Sequence, residues 1–190
     1  MELTPEVLEA CYRVGAFPMD EGYGSIGFYR SDPRSILEID FLHVSRSLAR
    51  VLRKGTYEVD VDRNFEAVIR ACADRRDTWI NAEIIRAFIQ FHRAGKAHSV
   101  EAYKDDQLVG GLYGVTLGGA FMGESMFSRM RDASKVCLVY LVERLKERGY
   151  VLLDCQIQND HLARLGAIEI PEREYLRRLE YALRLDRSFV

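Results

Sequence analysis

Apolar positions recur along the chain with two alternating periods, and the changes from one to the other lay out the elements. Thr4 is followed by Pro5, and Val7, Leu8, Cys11 and Tyr12 fall at helical spacing up to Gly15, which predicts a helix with a hydroxyl cap and proline in its first turn. Residues 17–31 (FPMDEGYGSIGFYRS) hold three glycines and four aromatics without steady periodicity and are expected to form a loop closed by an Asp32–Pro33 turn. Arg34 to Ile39 reads as a short strand. Ser45 to Lys54 is an amphipathic helix with Leu48, Val51 and Leu52 on one side and Arg46, Arg50, Arg53 and Lys54 on the other. Tyr57 to Val61 alternates as a strand, and Phe65, Val68, Ile69 and Cys72 mark a helix. Asn81 caps another helix to Arg93, ended by Gly95, with Ile85, Phe88, Ile89 and His92 on one face, where His92 reads as a packed side chain.

From His98 onward the pattern belongs to strands. Ser99 to Tyr103 is followed by Gln107 to Thr116 and Ala120 to Ser125, and Leu117-Gly118-Gly119 joins the last two as a hairpin. Lys135 to Arg148 places Leu138, Leu141, Val142 and Leu145 at i, i+3, i+4 and i+7, a helix that Gly149 ends. Tyr150 to Gln156 (YVLLDCQ) is then an apolar run of strand length. Strand, helix, strand predicts a right-handed crossover between parallel strands, with the C-terminal ends of AFMGES and YVLLDCQ on one edge. Open α/β sheets place ligands at such an edge. Glu124 ends one strand there, while Asp154 and Gln156, two apart and so on one face, end the other. A short helical piece to Gly166, a strand at Ala167 to Ile170 and a helix after Pro171 carrying Tyr175, Leu179 and Leu183 complete the chain. The expected class is α+β, a mixed sheet flanked by helices, with a loose boundary near residues 95–98 that separates 1–96 from 97–190.

Composition narrows the functional classes. At 190 residues, 48% hydrophobic and 29% charged, the chain can bury a sizeable core. No segment has the roughly 18 consecutive apolar residues of a membrane span. Three glutamates precede the first arginine, the wrong sign for a leader, so a cytoplasmic monomer without a membrane partner is expected. Cys11, Cys72, Cys137 and Cys155 form no CxxC pair and sit in apolar contexts that suit reduced thiols. His43, His92, His98 and His161 show no metal-ligand spacing, so no metal is expected. With a net charge of -2, any nucleic-acid contact must come from a local patch. No acidic residue lies between Phe41 and Tyr57, which leaves two readings for Arg46, Arg50, Arg53 and Lys54: a solvated face, or a contact to a phosphate backbone. Phe28 and Tyr29 likewise read as partly packed loop aromatics or as a stacking platform for a base.

Catalytic signatures are mostly absent: there is no GxSxG elbow, no P-loop and no GxGxxG between strand and helix. Glycines inside the GGLYG run at 110–114 mark a close approach, expected to be a ligand's. The element order resembles the GNAT-type acyltransferases. Their glycine-rich pyrophosphate loop is replaced here by the glycine-free Met126 to Ser134, which argues against acetyl-CoA.

A closer resemblance rests on GGLYGV, FMGESMFSRM, the ASK opening the helix, DCQIQNDH, LGA and EIP, together with Phe17-Pro18, SDPR, HVSRSL, TWI and GKAHSVE. Across nearly the whole chain these are similar to the leucyl/phenylalanyl-tRNA protein transferases. The resemblance implies transfer of leucine or phenylalanine from aminoacyl-tRNA to the α-amino group of proteins beginning with arginine or lysine, in the N-degron pathway, by a GNAT-like domain behind a smaller N-terminal one. It implies no metal and no organic cofactor. It puts Asp154 and Gln156 at the reaction centre with Glu124 beside them, lines the aminoacyl pocket with Leu112, Phe121, Leu138, Leu141, Leu145 and Leu153, and assigns Tyr29 and Trp79 to the terminal adenosine. Two departures stand out: Phe28-Tyr29-Arg30 replaces a tryptophan pair before SDPR, and leucines on the pocket helix replace phenylalanines.

The chemistry agrees with the residues present. An aminoacyl ester is already activated, so amide formation needs a neutral amine, positioning and oxyanion stabilisation, without a covalent nucleophile. Asp154 and Glu124 are expected to hold the amine or its cationic side chain. The Gln156 amide is expected to donate to the oxyanion or, bonded to Asp154, to position the nitrogen. The alternatives are a tRNA-dependent aminoacyltransferase acting on a cell-wall peptide precursor and a non-catalytic RNA-binding module.

Overall fold

A computed structural model describes residues 3–22 and 25–190. In chain order the elements are α1 (Pro5–Arg13), β1 (Phe17–Gly22), β2 (Ser25–Tyr29), β3 (Arg34–Leu37), a 3-10 turn (Ile39–Phe41), α2 (Arg46–Arg53), β4 (Glu58–Val61), α3 (Phe65–Ala73), α4 (Ala82–Arg93), β5 (Ala97–Lys104), β6 (Gln107–Leu117), β7 (Ala120–Ser128), α5 (Ala133–Glu147), β8 (Leu152–Gln156), α6 (Asp160–Arg164), β9 (Ile168–Ile170) and α7 (Glu172–Leu183). The helices start where side chains satisfy the first free amides: Thr4, Ser45, Asn64, Asn81 and Asn159 each accept from an N–H of the turn they open.

Seven strands form one sheet in the order β4-β5-β6-β7-β8-β3-β9. All its pairings are antiparallel except β7 with β8, which run parallel across the crossover through α5. The fold is therefore mixed α/β, with helices on both faces. Strand alternation sends Tyr113, Val115, Met122 and Leu152 into a core shared with α1, α3, α4 and α7, and Leu112, Phe121 and Leu153 into a second core under α5. Residues on both sides of position 97 build this sheet, since β3 lies between β8 and β9 and β4 borders β5.

Two expectations are corrected. Within the stretch 17–31, expected to be a loop, β1 (Phe17–Gly22) and β2 (Ser25–Tyr29) pair antiparallel, residues 23 and 24 lying outside the described residues. Phe17, Met19 and Ile26 do alternate toward the core, but Pro18 and the glycines mask that short period. The glycines of β6 make room for the chain itself. A Cβ on Gly110 would lie 2.5 Å from the Ala133 Cβ at the start of α5, and one on Gly114 would lie 2.3 Å from the Phe121 ring. Close packing of helix on strand, and not a ligand, requires them. No helix among the described residues is long and apolar enough to cross a membrane.

Candidate active site

The parallel ladder between β7 and β8 ends at Met122 and Asp154. Beyond it β7 carries an extra residue: Gly114 pairs with Gly123 and Tyr113 with Ser125, leaving Glu124 unpaired in a bulge. The bulge switches the phase of the strand. Before it Met122 faces the core under α1 and α3, and after it Phe127 does, while Met126 turns toward α5. On β8, Gln156 adopts a left-handed φ of 59°. The two strands part here: β8 ends at Gln156, whereas β7 runs on to Ser128 against β6, so Glu124 lies within its strand and not at the end the sequence suggested.

A cavity of about 370 Å³ opens at the parting. Leu112, Leu138, Leu141 and Leu153 line its apolar side, Glu124 and Gln156 its polar floor, and Phe17, Met19, Arg75 and Trp79 the wall built by β1 and the loop after α3. The backbone N–H of Asp20 donates to the Trp79 carbonyl at 3.1 Å and ties the hairpin to that loop. Such a space, mostly apolar with a few convergent polar groups, has the character of a small-ligand site.

Within the floor, Gln156 Nε2 donates to Glu124 Oε1 at 2.6 Å. Glu124 Oε2 and the Tyr12 hydroxyl are buried without a hydrogen bond among the described residues. Burial pushes the Glu124 carboxyl up to about 8, against the lowering influence of the Tyr12 hydroxyl and the Gln156 amide; Asp154 adds to the rise and Arg34 opposes it. A carboxyl poised there exchanges its proton near neutral pH.

Asp154 is differently placed. It is fully buried and does not border the cavity. Arg34 grips it through Nε at 2.9 Å and Nη2 at 2.6 Å, and the Tyr175 hydroxyl donates at 2.9 Å. Arg34 is itself buried, donates to the Gly15 carbonyl at 2.9 Å and lies over the Phe17 and Tyr175 rings. The fourth donor to Asp154 is the backbone N–H of Gln156 at 2.9 Å. The side-chain bond expected between Gln156 and Asp154 is thus replaced by one to Glu124, and Asp154 acts on the floor through the backbone that presents Gln156.

Other expected site residues scatter. Phe121 and Leu145 are fully buried behind the cavity, Phe121 with its ring 5.4 Å from that of Phe189, because Phe121 precedes the point where the strands part. Tyr29 lies off the cavity wall and donates its hydroxyl to Glu21 at 2.6 Å. Arg46, Arg50, Arg53 and Lys54 are exposed along α2, and among the described residues none of them is paired with a carboxylate, whereas Arg13, Arg70, Arg177 and Arg184 all are. Asp62, His92 and His98 converge without any spacing motif. Three of the four ring nitrogens are engaged: His98 Nδ1 meets Asp62 at 2.7 Å and its Nε2 the Gly95 carbonyl at 3.2 Å, His92 Nδ1 meets the Ala97 carbonyl at 2.8 Å, and His92 stacks on Phe65. A nitrogen donating to a carbonyl offers no lone pair to a metal.

The residues that pattern alone missed are Arg34, Tyr12, Arg75 and His161, the last a cavity-lining imidazole whose Nε2 is buried and unpartnered among the described residues. A signal existed for Arg34, a lone charge opening an otherwise apolar strand.

Comparison with known proteins gives a consistent result. Residues 36–180 match the family model described as leucyl/phenylalanyl-tRNA protein transferase, and residues 1–32 match that of its N-terminal domain. The leucyl/phenylalanyl-tRNA protein transferase of Rubrobacter xylanophilus is 70% identical over 190 residues, covering 100% of both chains. That of Gloeobacter violaceus is 54% identical over 188 residues, covering 98% of this chain and 97% of its own. Among solved structures, L-PGS from Bacillus licheniformis aligns with a TM-score of 0.46 and 14% identity over 82% of this chain and 51% of that one, so this chain spans about half its length.

Proposed function

Because this chain belongs to the leucyl/phenylalanyl-tRNA protein transferase family of aminoacyltransferases, we propose that it moves leucine or phenylalanine from aminoacyl-tRNA to the α-amino group of proteins beginning with arginine or lysine, in the N-degron pathway. The carrying observation is the pair at the cavity floor, a buried Glu124 with a free Oε2 bonded through Oε1 to Gln156. In the proposed reaction the acceptor nitrogen attacks the ester carbonyl, its proton passes to Glu124 Oε2, and a Gln156 amide N–H stabilises the oxyanion. The C–O bond then breaks as Glu124 returns that proton to the departing ribose oxygen, which leaves as a hydroxyl and restores the carboxylate. Asp154 and Arg34 are positioning residues in this scheme. Leu112, Leu138, Leu141 and Leu153 hold the aminoacyl side chain, Trp79 stacks on the adenosine, and α2 meets the tRNA body. Residues 1–96 thus supply the adenosine and tRNA contacts and residues 97–190 the chemistry.

The test is transfer from leucyl-tRNA to matched peptides that begin with arginine, lysine or alanine. Product with the first two and little with the third supports the proposal; none with any overturns it.

Two further outcomes are expected. Arg50→Gln with Arg53→Gln should weaken binding of whole charged tRNA and lower its log-log salt slope by about 0.7 to 0.9 for each phosphate no longer engaged, with transfer from leucyl-adenosine nearly unchanged. Equal loss with both donors would remove α2 from the tRNA interface. Leu141→Ala should shift competition between leucyl and phenylalanyl donors toward phenylalanyl by about tenfold, since one or two methylenes are worth about 1 to 3 kcal/mol each in such pockets. Unchanged competition would place the aminoacyl pocket elsewhere.

A further inference from the structure

We propose that Arg75 forms a subsite for the phosphate on the 5′ side of the donor's terminal adenosine, a step that rests on the transferase function proposed above. Arg75 sits in the loop between α3 and Trp79 and is exposed, yet it forms part of the cavity wall. Among the described residues no carboxylate pairs with it, although Asp74 and Asp77 flank it in the chain. Its charge is felt at Cys72 and at Tyr113 on the wall. Burial raises both the Cys72 thiol and the Tyr113 hydroxyl, and the guanidinium offsets part of that rise in each. The other ionisable groups on the wall are Glu124, His161, Tyr113 and Cys155, none of them a fixed cation; burial, followed by the charges of Lys135 and Arg164, lowers His161, and burial raises Cys155. Arg75 is thus the fixed cation of the wall among the described residues.

Charge decides which ligand this cation serves. The acceptor brings an α-ammonium and a cationic side chain, both of which Arg75 repels. The aminoacyl side chain and the adenine are neutral. The first anion met on leaving the ester along the donor is the phosphate on the ribose, and an arginine fork matches its oxygens. Trp79 stands four residues further on, so a single loop, tied down by the Asp20 bond to the Trp79 carbonyl and by the Ile80 N–H to Thr78 Oγ1 at 3.1 Å, would present both a base-stacking ring and a phosphate contact.

The experiment compares two donors that differ by one group, leucyl-adenosine esterified on its ribose with and without a 5′-phosphate, using an acceptor peptide beginning with arginine. The unaltered protein is expected to show a KM about ten- to a hundredfold lower for the phosphorylated donor, the range of a charge-assisted hydrogen bond. In Arg75→Gln the ratio of the two KM values should shrink to within about threefold, whatever change the two donors share, and Arg75→Lys should retain part of the advantage. Equal losses on both donors would put Arg75 at the ester or in the fold, and an undiminished phosphate advantage would detach it from the phosphate; either overturns the subsite. Transfer from neither donor by the unaltered protein overturns the transferase function and the subsite together.

Discussion

Glu124→Gln is expected to slow single-turnover transfer by about a hundredfold to ten-thousandfold at equal folded fraction, the usual contribution of a general base. The substitution keeps the shape of the floor and the bond to Gln156 but removes the atom that takes the proton. It also changes how stability depends on pH. In the folded protein the Glu124 carboxyl lies at about 8, above its ordinary 4.5. The folded state therefore holds a proton that the unfolded chain gives up between those values. The stabilisation is complete below about 4.5 and is lost as pH rises through about 8, a change on the order of a few kcal/mol. Denaturant midpoints of the native protein should fall across that window, while those of the glutamine variant stay nearly level and exceed the native ones at pH 8. Full transfer rates in Glu124→Gln would remove it from the reaction centre.

Asp154→Asn should act first on stability. The Arg34–Asp154 pair is 1% and 0% exposed, with two direct bonds between the partners. Neutralising Asp154 strands a buried guanidinium, which costs about 3 to 5 kcal/mol, or roughly 10 °C in a chain of this size. Transfer per folded molecule should fall as well, because an amide nitrogen facing the Arg34 and Tyr175 donors displaces the side chain whose Oδ1 accepts the Gln156 N–H. Adding Arg34→Met separates the two effects. With the stranded charge gone, part of the stability should return while the rate stays low, since a neutral amide oxygen holds the Gln156 N–H less firmly than the carboxylate does. Thermal melts with single-turnover rates for both variants decide the matter. A double variant recovering rate and stability together would make the pair purely structural.

Local pattern determined the elements and their order from the amino acids alone. Capped helices, the β6–β7 hairpin and the strand-helix-strand crossover follow from periods of 3.6 and 2 and from turn residues, which need only near neighbours. The same reasoning brought Glu124, Asp154 and Gln156 close together, although β7 continues to Ser128 and the parallel ladder merely stops at Met122 and Asp154, and it found the basic side of α2. It failed for residues 17–31, where glycine and proline hid a hairpin.

Partnerships across long separations were decided only by the tertiary structure. Gln156 bonds to Glu124 across 32 positions and Arg34 to Asp154 across 120, and no periodicity encodes either. The bulge at Glu124 arises from the register between β6 and β7 and sets the carboxyl, itself buried, on the cavity lining. Burial then divides two carboxylates of similar sequence setting into different parts, Asp154 bound to a buried cation and Glu124 left to hold a proton. Sequence supplies the groups, but the dielectric around them and the donors within about 3 Å are properties of the packed whole.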